Sequence, residues 1–408
     1  MKFDTIIIGG GLSGLVTGIS LSKRGQKCLI ISSGQSALHF FSGSFELYGN
    51  EDKPLEAFAK LESDHPYAKI GLDRIKTLTE EVQPFFKEMN ISLAGSAERN
   101  HYRITPLGLL KPAWLTLDEY AMVQDLAQMP WKKVAIFNVE GFLDFHPSFV
   151  ASGLAKQGVE SEITSISMPE LERIRKNPTE MRATNIAKAL TGETLAHLAR
   201  EINAASKEVE AVLMPTVVGL YDKETVEELK RQVDKPLYFI ATLPPSVPGI
   251  RVQITLRKRF QELGGVYMLG DTVVKGEIVG DQLKSIQTTN HGQMKFEADH
   301  FVLATGSFFS HGIVASPDKV YEPILGLDVD AEGSRSEWYD RNLFKPQPYM
   351  KFGVSTDANF RVKKEGKTLS NMYAVGAVLS GFNPIKEGCG AGVYILTSLS
   401  VAHEILKK

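Results

Sequence analysis

Residues Asp4 to Ser32, DTIIIGGGLSGLVTGISLSKRGQKCLIIS, constrain the fold more than any other stretch of this chain. Thr5-Ile6-Ile7-Ile8 is a short apolar run suited to a strand buried on both faces, and it leads directly into Gly9-Gly10-Gly11-Leu12-Ser13-Gly14, a complete G-x-G-x-x-G. Leu12, Leu15, Val16 and Ile19 then fall at helical spacing, Gly25 ends the helix, and Cys28-Leu29-Ile30-Ile31 supplies a second buried strand. The order is that of a βαβ unit. Gly9 allows the tight turn, Gly11 lets backbone approach a pyrophosphate, Gly14 lets helix lie close to strand, and the helix N-terminus offers free N–H groups to the anion. A dinucleotide site usually ends its second strand with an Asp or Glu that holds the adenosine ribose, and here Ser32 and Ser33 stand in that place.

With 408 residues the chain has room for two domains, and 43% hydrophobic with 23% charged residues is an ordinary globular composition. A net charge of -2 gives no reason to expect nucleic acid. The only cysteines, Cys28 in a strand and Cys389 in a glycine loop, make neither a disulfide framework nor the ligand set of an iron–sulfur cluster, and no metal is expected. Met1 leads straight into the first strand, and no apolar run reaches the ~20 residues of a membrane helix. A cytoplasmic protein is expected, held at any membrane by something else.

After the second strand, GQSALHFFSGSFEL (residues 34–47) leaves the carboxyl edge of the sheet, which makes Ser42, Gly43 and Ser44 candidates for cofactor contacts. Residues 54–130 read mainly as helices. Lys133–Phe137, the helix Pro147–Lys156 and Ser161–Ile166, then Val209–Met214, Lys223–Arg231 and Leu237–Ile240, alternate strand with helix and imply a second parallel α/β layer. Three prolines in TLPPSVPGIRVQ hold the chain extended before a helix at Arg251–Leu263. Val266–Glu297 reads as a β-meander, and Ala298–Thr305 as a buried strand whose Ala304-Thr305-Gly306 turn faces the cofactor. A last parallel strand, Asn371–Gly376, is followed by Ala377 where an Asp is common in flavoproteins, and by a helix from Val393 to Ile405. Gly376, Gly388, Cys389, Gly390, Ala391, Gly392 and Val393 are expected beside the cofactor, with the helix N-terminus facing the flavin ring.

The fold class expected is α/β: a flavoprotein-type, two-dinucleotide-binding-domain-like Rossmann domain assembled from residues 1–50, 242–312 and 365–408. A second α/β domain, from residues 51–241 and 313–364, is inserted into it.

Taken together, FDTIIIGGGLSGL, GQSALHFFSGS, NPTEMRATNIA, TLPPSVPGIRVQ, ATGSFFSHGIVA, EPILGLDV, FGVSTD and GFNPIKEGCGAGV resemble, in order and from Met1 to the C-terminal helix, the B subunit of anaerobic glycerol-3-phosphate dehydrogenase. The resemblance implies a flavin subunit, associated with FMN, that pairs with the larger catalytic flavoprotein subunit of the complex. A third, membrane-associated subunit with iron–sulfur centres passes electrons to the quinone pool. The complex oxidises sn-glycerol 3-phosphate to dihydroxyacetone phosphate in anaerobic growth, with fumarate or nitrate as final acceptor, and lies on the inner face of the cell membrane through its partner subunits. FMN accords with Ser32 and Ser33, because no adenosine ribose then needs holding, whereas the complete glycine turn accords with FAD. The sequence leaves both open.

Removing hydride from the substrate carbon requires a base for the hydroxyl proton and cations for the phosphate. His39, His311 and Glu387 are candidates for the first role and Arg182, Arg251 and Lys386 for the second, though none forms a motif. The expectation is that this chain holds a flavin and helps pass electrons, with substrate oxidised mainly on the larger catalytic subunit. Two alternatives stand beside it: a self-sufficient flavin oxidoreductase acting on another small hydroxy compound, and a non-catalytic assembly subunit with a decayed cofactor groove.

Overall fold

The structure is a computed structural model that describes residues 1–407. The chain forms two compact units, one from Met1–Ala37, Glu46–Phe85 and Thr255–Lys408, the other from Leu38–Phe45 and Phe86–Ile254.

The first unit is built on five parallel strands in the spatial order Val266–Leu269, Cys28–Ser32, Lys2–Ile8, Phe296–Leu303 and Lys367–Ala374. Ile7 lies beside Ile30 on one side and Val302 on the other. The isoleucines of the first strand and all of Cys28–Ser32 are buried, as a strand covered on both faces requires. Gln282–Thr288 pairs antiparallel with Phe296–Leu303, and Val273–Val279 pairs antiparallel with Gln282–Thr288. Arg361–Lys364 returns on Lys367–Ala374 through Glu365 and Gly366, whose φ values of 51° and 76° make the two-residue turn that matches strand twist. The helices Leu12–Ser22 and Gly390–Leu406 pack against each other beside this sheet.

The second unit carries a four-stranded parallel sheet in the order Glu160–Ile166, Lys133–Val139, Ala211–Pro215 and Leu237–Ile240. Its helices Pro147–Ala155 and Glu224–Gln232 connect strands as the alternation predicts, and the helix Gly192–Ala205 leads into Ala211–Pro215. Ile136, Val212, Leu213, Leu195, Leu198, Ile202 and Leu229 form its interior, all with no exposed surface.

Three expectations change. Helix in 54–130 stops at Lys87, beyond which Leu93–Gly95, His101–Ile104, Leu110–Ala113, Leu115–Leu117 and Met122–Val123 are short antiparallel strands. Gly95 and Gly108, at φ 131° and 73°, and Pro106 and Pro112 break any helical run there. The helix placed at Arg251 begins at Val247, because the Ser246 hydroxyl accepts the Gly249 N–H at 3.1 Å and caps it, with Pro248 tolerated in the first turn. Val266–Leu269 is not meander but a fifth parallel strand, Tyr267 beside Ile30, placed there by the crossover helix before it.

The first unit also takes in residues 51–85 and 313–364, which the sequence pattern assigns to the inserted domain. Arg74 reaches the Ser400 carbonyl at 2.9 Å. Val329–Asp330 pairs with Gly353–Val354, and the Asp328 carboxylate accepts the Glu365 and Gly366 N–H groups, each at 2.8 Å, at the hairpin turn. Among the described residues no helix is long and apolar enough to cross a membrane.

Candidate functional site

In the parallel sheet the strand order reverses at Lys2–Ile8, between Cys28–Ser32 and Phe296–Leu303. Ligands of open α/β sheets bind outside the carboxyl ends of the strands at such a reversal. The glycine turn sits there. Gly9 has φ 118°, and a Cβ on it would lie 2.1 Å from the Ala304 carbonyl oxygen, so the Ala304-Thr305-Gly306 turn rests directly on the fingerprint. A Cβ on Gly14 would fall 1.9 Å from the Gly9 carbonyl oxygen. Over Gly11, by contrast, only Ser36 comes within 4 Å, at 3.9 Å. The helix starting there has no side-chain cap and no acidic residue in its first turn, which leaves its positive end available to an anion.

The third strand end joins these two. Gly376, at φ 77°, leaves no room for a Cβ, which would meet Ser13 Oγ at 2.2 Å. Its N–H donates to Thr397 Oγ1 at 3.1 Å, and Ser13 Oγ donates to the Tyr394 carbonyl at 3.3 Å. Thr305 Oγ1 is shielded from solvent without a hydrogen-bond partner in the chain, and a Cβ on Gly312 would lie 2.8 Å from it, so this hydroxyl faces the chain's own backbone.

At the end of the second strand the Ser32 hydroxyl is turned inward. Ser32 Oγ donates to the Gly34 carbonyl at 2.9 Å, while Ser33 is exposed. Tyr267, which no sequence motif singles out, donates its hydroxyl to the Gly10 carbonyl at 3.1 Å, and a Cβ on Gly10 would meet that hydroxyl at 2.1 Å. Burial raises the Tyr267 phenol, against a hydrogen bond with Ser32. The Arg257 guanidinium lies over its ring at 5.8 Å.

The C-terminal helix start is closely packed by the chain itself. The Gly392 N–H donates to the Glu46 carbonyl at 2.8 Å, and a Cβ on Gly392 would meet the Tyr67 hydroxyl at 2.3 Å. That hydroxyl donates to the Leu47 carbonyl at 2.8 Å and lies 3.3 Å from the Cys389 carbonyl. Gly388 lies against Gly49, 3.0 Å from a built Cβ, so the small residues here admit the chain's own backbone. Cys389, Gly390 and Val393 are buried and Ala391 half-buried.

Beside this start lies a buried chain of polar groups. The Tyr67 N–H donates to His65 Nδ1 at 3.0 Å, which places the ring hydrogen on Nε2, and Nε2 donates to Glu387 Oε2 at 3.2 Å. The Asn383 N–H reaches the same oxygen at 3.1 Å and the Cys389 thiol at 3.5 Å. Burial alone would raise the Glu387 carboxyl, but the hydrogen bonds from His65 and the Asn383 amide outweigh it and the net shift is downward. Burial pushes the Cys389 thiol well up, reinforced by the Glu387 charge. His65, Glu387 and Cys389 have the composition of a metal-ligand set, yet the nitrogen facing the carboxylate carries the hydrogen and has no lone pair for an ion.

The other residues named from sequence are exposed or have partners of their own. His311 is exposed at φ 58°, and Lys386 is exposed. In the second unit, Arg251 is buried, paired with the Glu119 carboxylate and donating to the Gly219 carbonyl at 2.6 Å. Arg182 pairs with Asp144 at 3.2 Å and donates to the Pro244 carbonyl at 3.0 Å. Burial lowers His39, against a hydrogen bond with Gln253. Ser44 Oγ bonds Thr116 Oγ1 at 2.8 Å, Gly43 lies under the Tyr120 ring, and Ser42 Oγ contacts the Ser44 carbonyl at 3.4 Å.

A switch-point fingerprint with an uncapped helix and an open approach at Gly11 fits the phosphate end of a nucleotide-like cofactor, and the model of the FAD binding domain family matches residues 4–393. The class is therefore that of flavin-binding oxidoreductase domains. Over its whole length the chain is 44% identical to the B subunit of anaerobic glycerol-3-phosphate dehydrogenase from Yersinia enterocolitica, covering 98% of that protein. It is 42% identical to the Yersinia pestis protein of the same name and 40% to that of Pectobacterium atrosepticum, covering all of this chain and 99% of each. The chain belongs to the family of anaerobic glycerol-3-phosphate dehydrogenase B subunits.

Proposed function

We propose that this chain is the flavin-holding B subunit of a complex that oxidises sn-glycerol 3-phosphate to dihydroxyacetone phosphate. A larger companion flavoprotein, the catalytic subunit, carries most of the substrate chemistry, and an iron–sulfur subunit delivers electrons to the quinone pool at the inner face of the membrane. The observation that carries the reading is 44% identity over the whole chain with a protein named as this B subunit, joined to an intact glycine turn at the switch point. When bound, the flavin supplies the two-electron acceptor. The uncapped N–H groups after Gly11 would hold its phosphate, while Ser13 and Gly376 keep the adjoining loops in contact.

FMN is the better candidate. At the end of Cys28–Ser32 stand Ser32 and Ser33 rather than an Asp or Glu for an adenosine ribose, and the Ser32 and Tyr267 hydroxyls are used inside the chain. Division of labour with the catalytic subunit is supported by Arg182 and Arg251, whose guanidinium groups are paired with Asp144 and Glu119. The test is to purify the chain with and without the catalytic subunit, record visible spectra, identify the released flavin by chromatography, and assay glycerol-3-phosphate-dependent dye reduction. Yellow protein releasing FMN, active only with its companion, is expected. FAD in the extract overturns the FMN assignment, folded colourless protein overturns the cofactor role, and full activity of the isolated chain overturns the division of labour.

A further inference from the structure

In a dinucleotide-binding fold the corner between the glycine turn and the end of the second strand holds the adenosine ribose. Here a tyrosine fills that corner. Tyr267 lies beside Ile30 in the parallel sheet and Leu269 beside Ser32, so Tyr267 and Ser32 project from one face, with the tyrosine two residues nearer the amino edge. The length of the phenol makes up the difference, and its hydroxyl donates to the Gly10 carbonyl at 3.1 Å. A Cβ built on Gly10 meets three atoms: the Tyr267 hydroxyl at 2.1 Å, Ser32 Cβ at 2.7 Å and Ser32 Oγ at 2.8 Å. Phenol and serine therefore converge on one spot. The Arg257 guanidinium lies over the ring, 5.8 Å from its centroid, and helps to hold it there.

The acceptors around this corner are engaged within the chain. Ser32 Oγ donates to the Gly34 carbonyl at 2.9 Å, and the Ser32 carbonyl takes the Gly270 and Asp271 N–H groups at 2.8 and 3.3 Å. Asp271, whose backbone thus touches Ser32, is buried and turned toward its own hairpin. Its Oδ1 accepts the Thr272 and Asn290 N–H groups at 2.8 and 3.0 Å, and its Oδ2 lies 2.8 Å from His291 Nδ1. The corner is also closed to a longer acid at position 32. A glutamate side chain leaving that Cβ toward the glycine turn has to cross the place that the phenol oxygen holds.

We propose that Tyr267 sets the flavin specificity of this chain: its phenol takes the volume that a ribose-holding acid needs, so the groove favours a flavin mononucleotide over the dinucleotide. The inference rests on the FMN reading above. The test titrates FMN and FAD, followed by quenching of flavin fluorescence, into the flavin-stripped full-length chain. Four proteins are compared: wild type, Ser32→Glu, Ser32→Glu/Tyr267→Val, and Ser32→Glu/Tyr267→Phe, which keeps the ring under Arg257 and removes only the hydroxyl. Wild type should prefer FMN by about 10-fold or more. Ser32→Glu alone should leave the ratio of the two affinities within about threefold of wild type, because the phenol still stands in the way. Both double variants should move the ratio toward FAD by about 30-fold, the effect of a carboxylate that reaches the ribose hydroxyls. The ratio, unlike either affinity alone, does not move when the fold is merely loosened. Double variants that keep the wild-type preference for FMN overturn the role of Tyr267 and leave the FMN assignment standing. A Ser32→Glu chain shifted as far as the double variants also overturns it, since the phenol is then no obstacle. Wild type without a preference for FMN overturns the FMN assignment and this proposal together, and wild type that binds neither flavin overturns the cofactor role itself, a distinct result.

Discussion

Replacing Glu387 by Ala tests whether the buried polar chain at the C-terminal helix is held together by one carboxylate. Oε2 receives the His65 and Asn383 N–H groups at 3.2 and 3.1 Å and the Cys389 thiol at 3.5 Å, and His65 and Cys389 are essentially inaccessible to water. Removing the acceptor strands two N–H donors at about 1–3 kcal/mol each, a loss near 4 kcal/mol with the weaker thiol contributing little. For a domain of this size that is roughly a 10 °C fall in melting temperature. Glu387→Gln keeps an acceptor and loses only the charge, costing about 1–2 kcal/mol. Scanning fluorimetry at pH 7 should rank wild type, Gln, then Ala. The pH dependence is fixed by direction. Glu387's folded carboxyl titrates below its unfolded value, so its contribution is complete above about pH 4.3 and lost as pH falls through the lower, folded range, where wild type approaches the Gln variant. Tyr48 and Lys351 also feel its charge. An Ala variant melting within about 2 °C of wild type would refute the reasoning, because buried donors left unpaired cannot be that cheap.

Two further outcomes follow from the geometry. Gly14→Ala would set a methyl 1.9 Å from the Gly9 carbonyl oxygen, backbone against backbone, so the fingerprint turn must open; the visible absorbance of the purified chain should be lost while the second unit's melting transition stays in place. The Cys28 thiol is pushed up to about 12 by burial and Cys389 is raised likewise, so native protein at pH 8 should be inert to a disulfide reagent and release both thiols only on denaturation; prompt labelling of either would contradict the burial described.

What could be read from the chain beforehand was local. Ile6–Ile8, the glycines after them and Cys28–Ile31 carry their structure in spacing alone, and so do the alternating elements of the second unit, because each burial pattern is complete within a few residues. Tyr267 was invisible for the opposite reason. Its hydroxyl meets Gly10 only after the crossover helix lays Val266–Leu269 beside the second strand, a placement that local pattern does not distinguish from a meander. His65 caps the short helix Pro66–Ile70, and its second role depends on Glu387, far along the sequence. Residues 88–130 misled because short strands in loop-rich sequence keep no period long enough to count, and Arg251 because a buried cation looks the same in sequence as a free one.

The first strand's two neighbours are made at very different times. Cys28–Ser32 leaves the ribosome almost at once, but Phe296–Leu303 must wait for nearly the whole intervening polypeptide, roughly 15–60 s at ordinary elongation rates. Through that interval a run of isoleucines has an open edge, while most of the second unit, contiguous from Phe86 to Ile254, has already emerged. Loading of the flavin is therefore a late event in biogenesis, and a chain truncated before Phe296 should be a substrate for chaperones and proteases rather than a partial holoprotein.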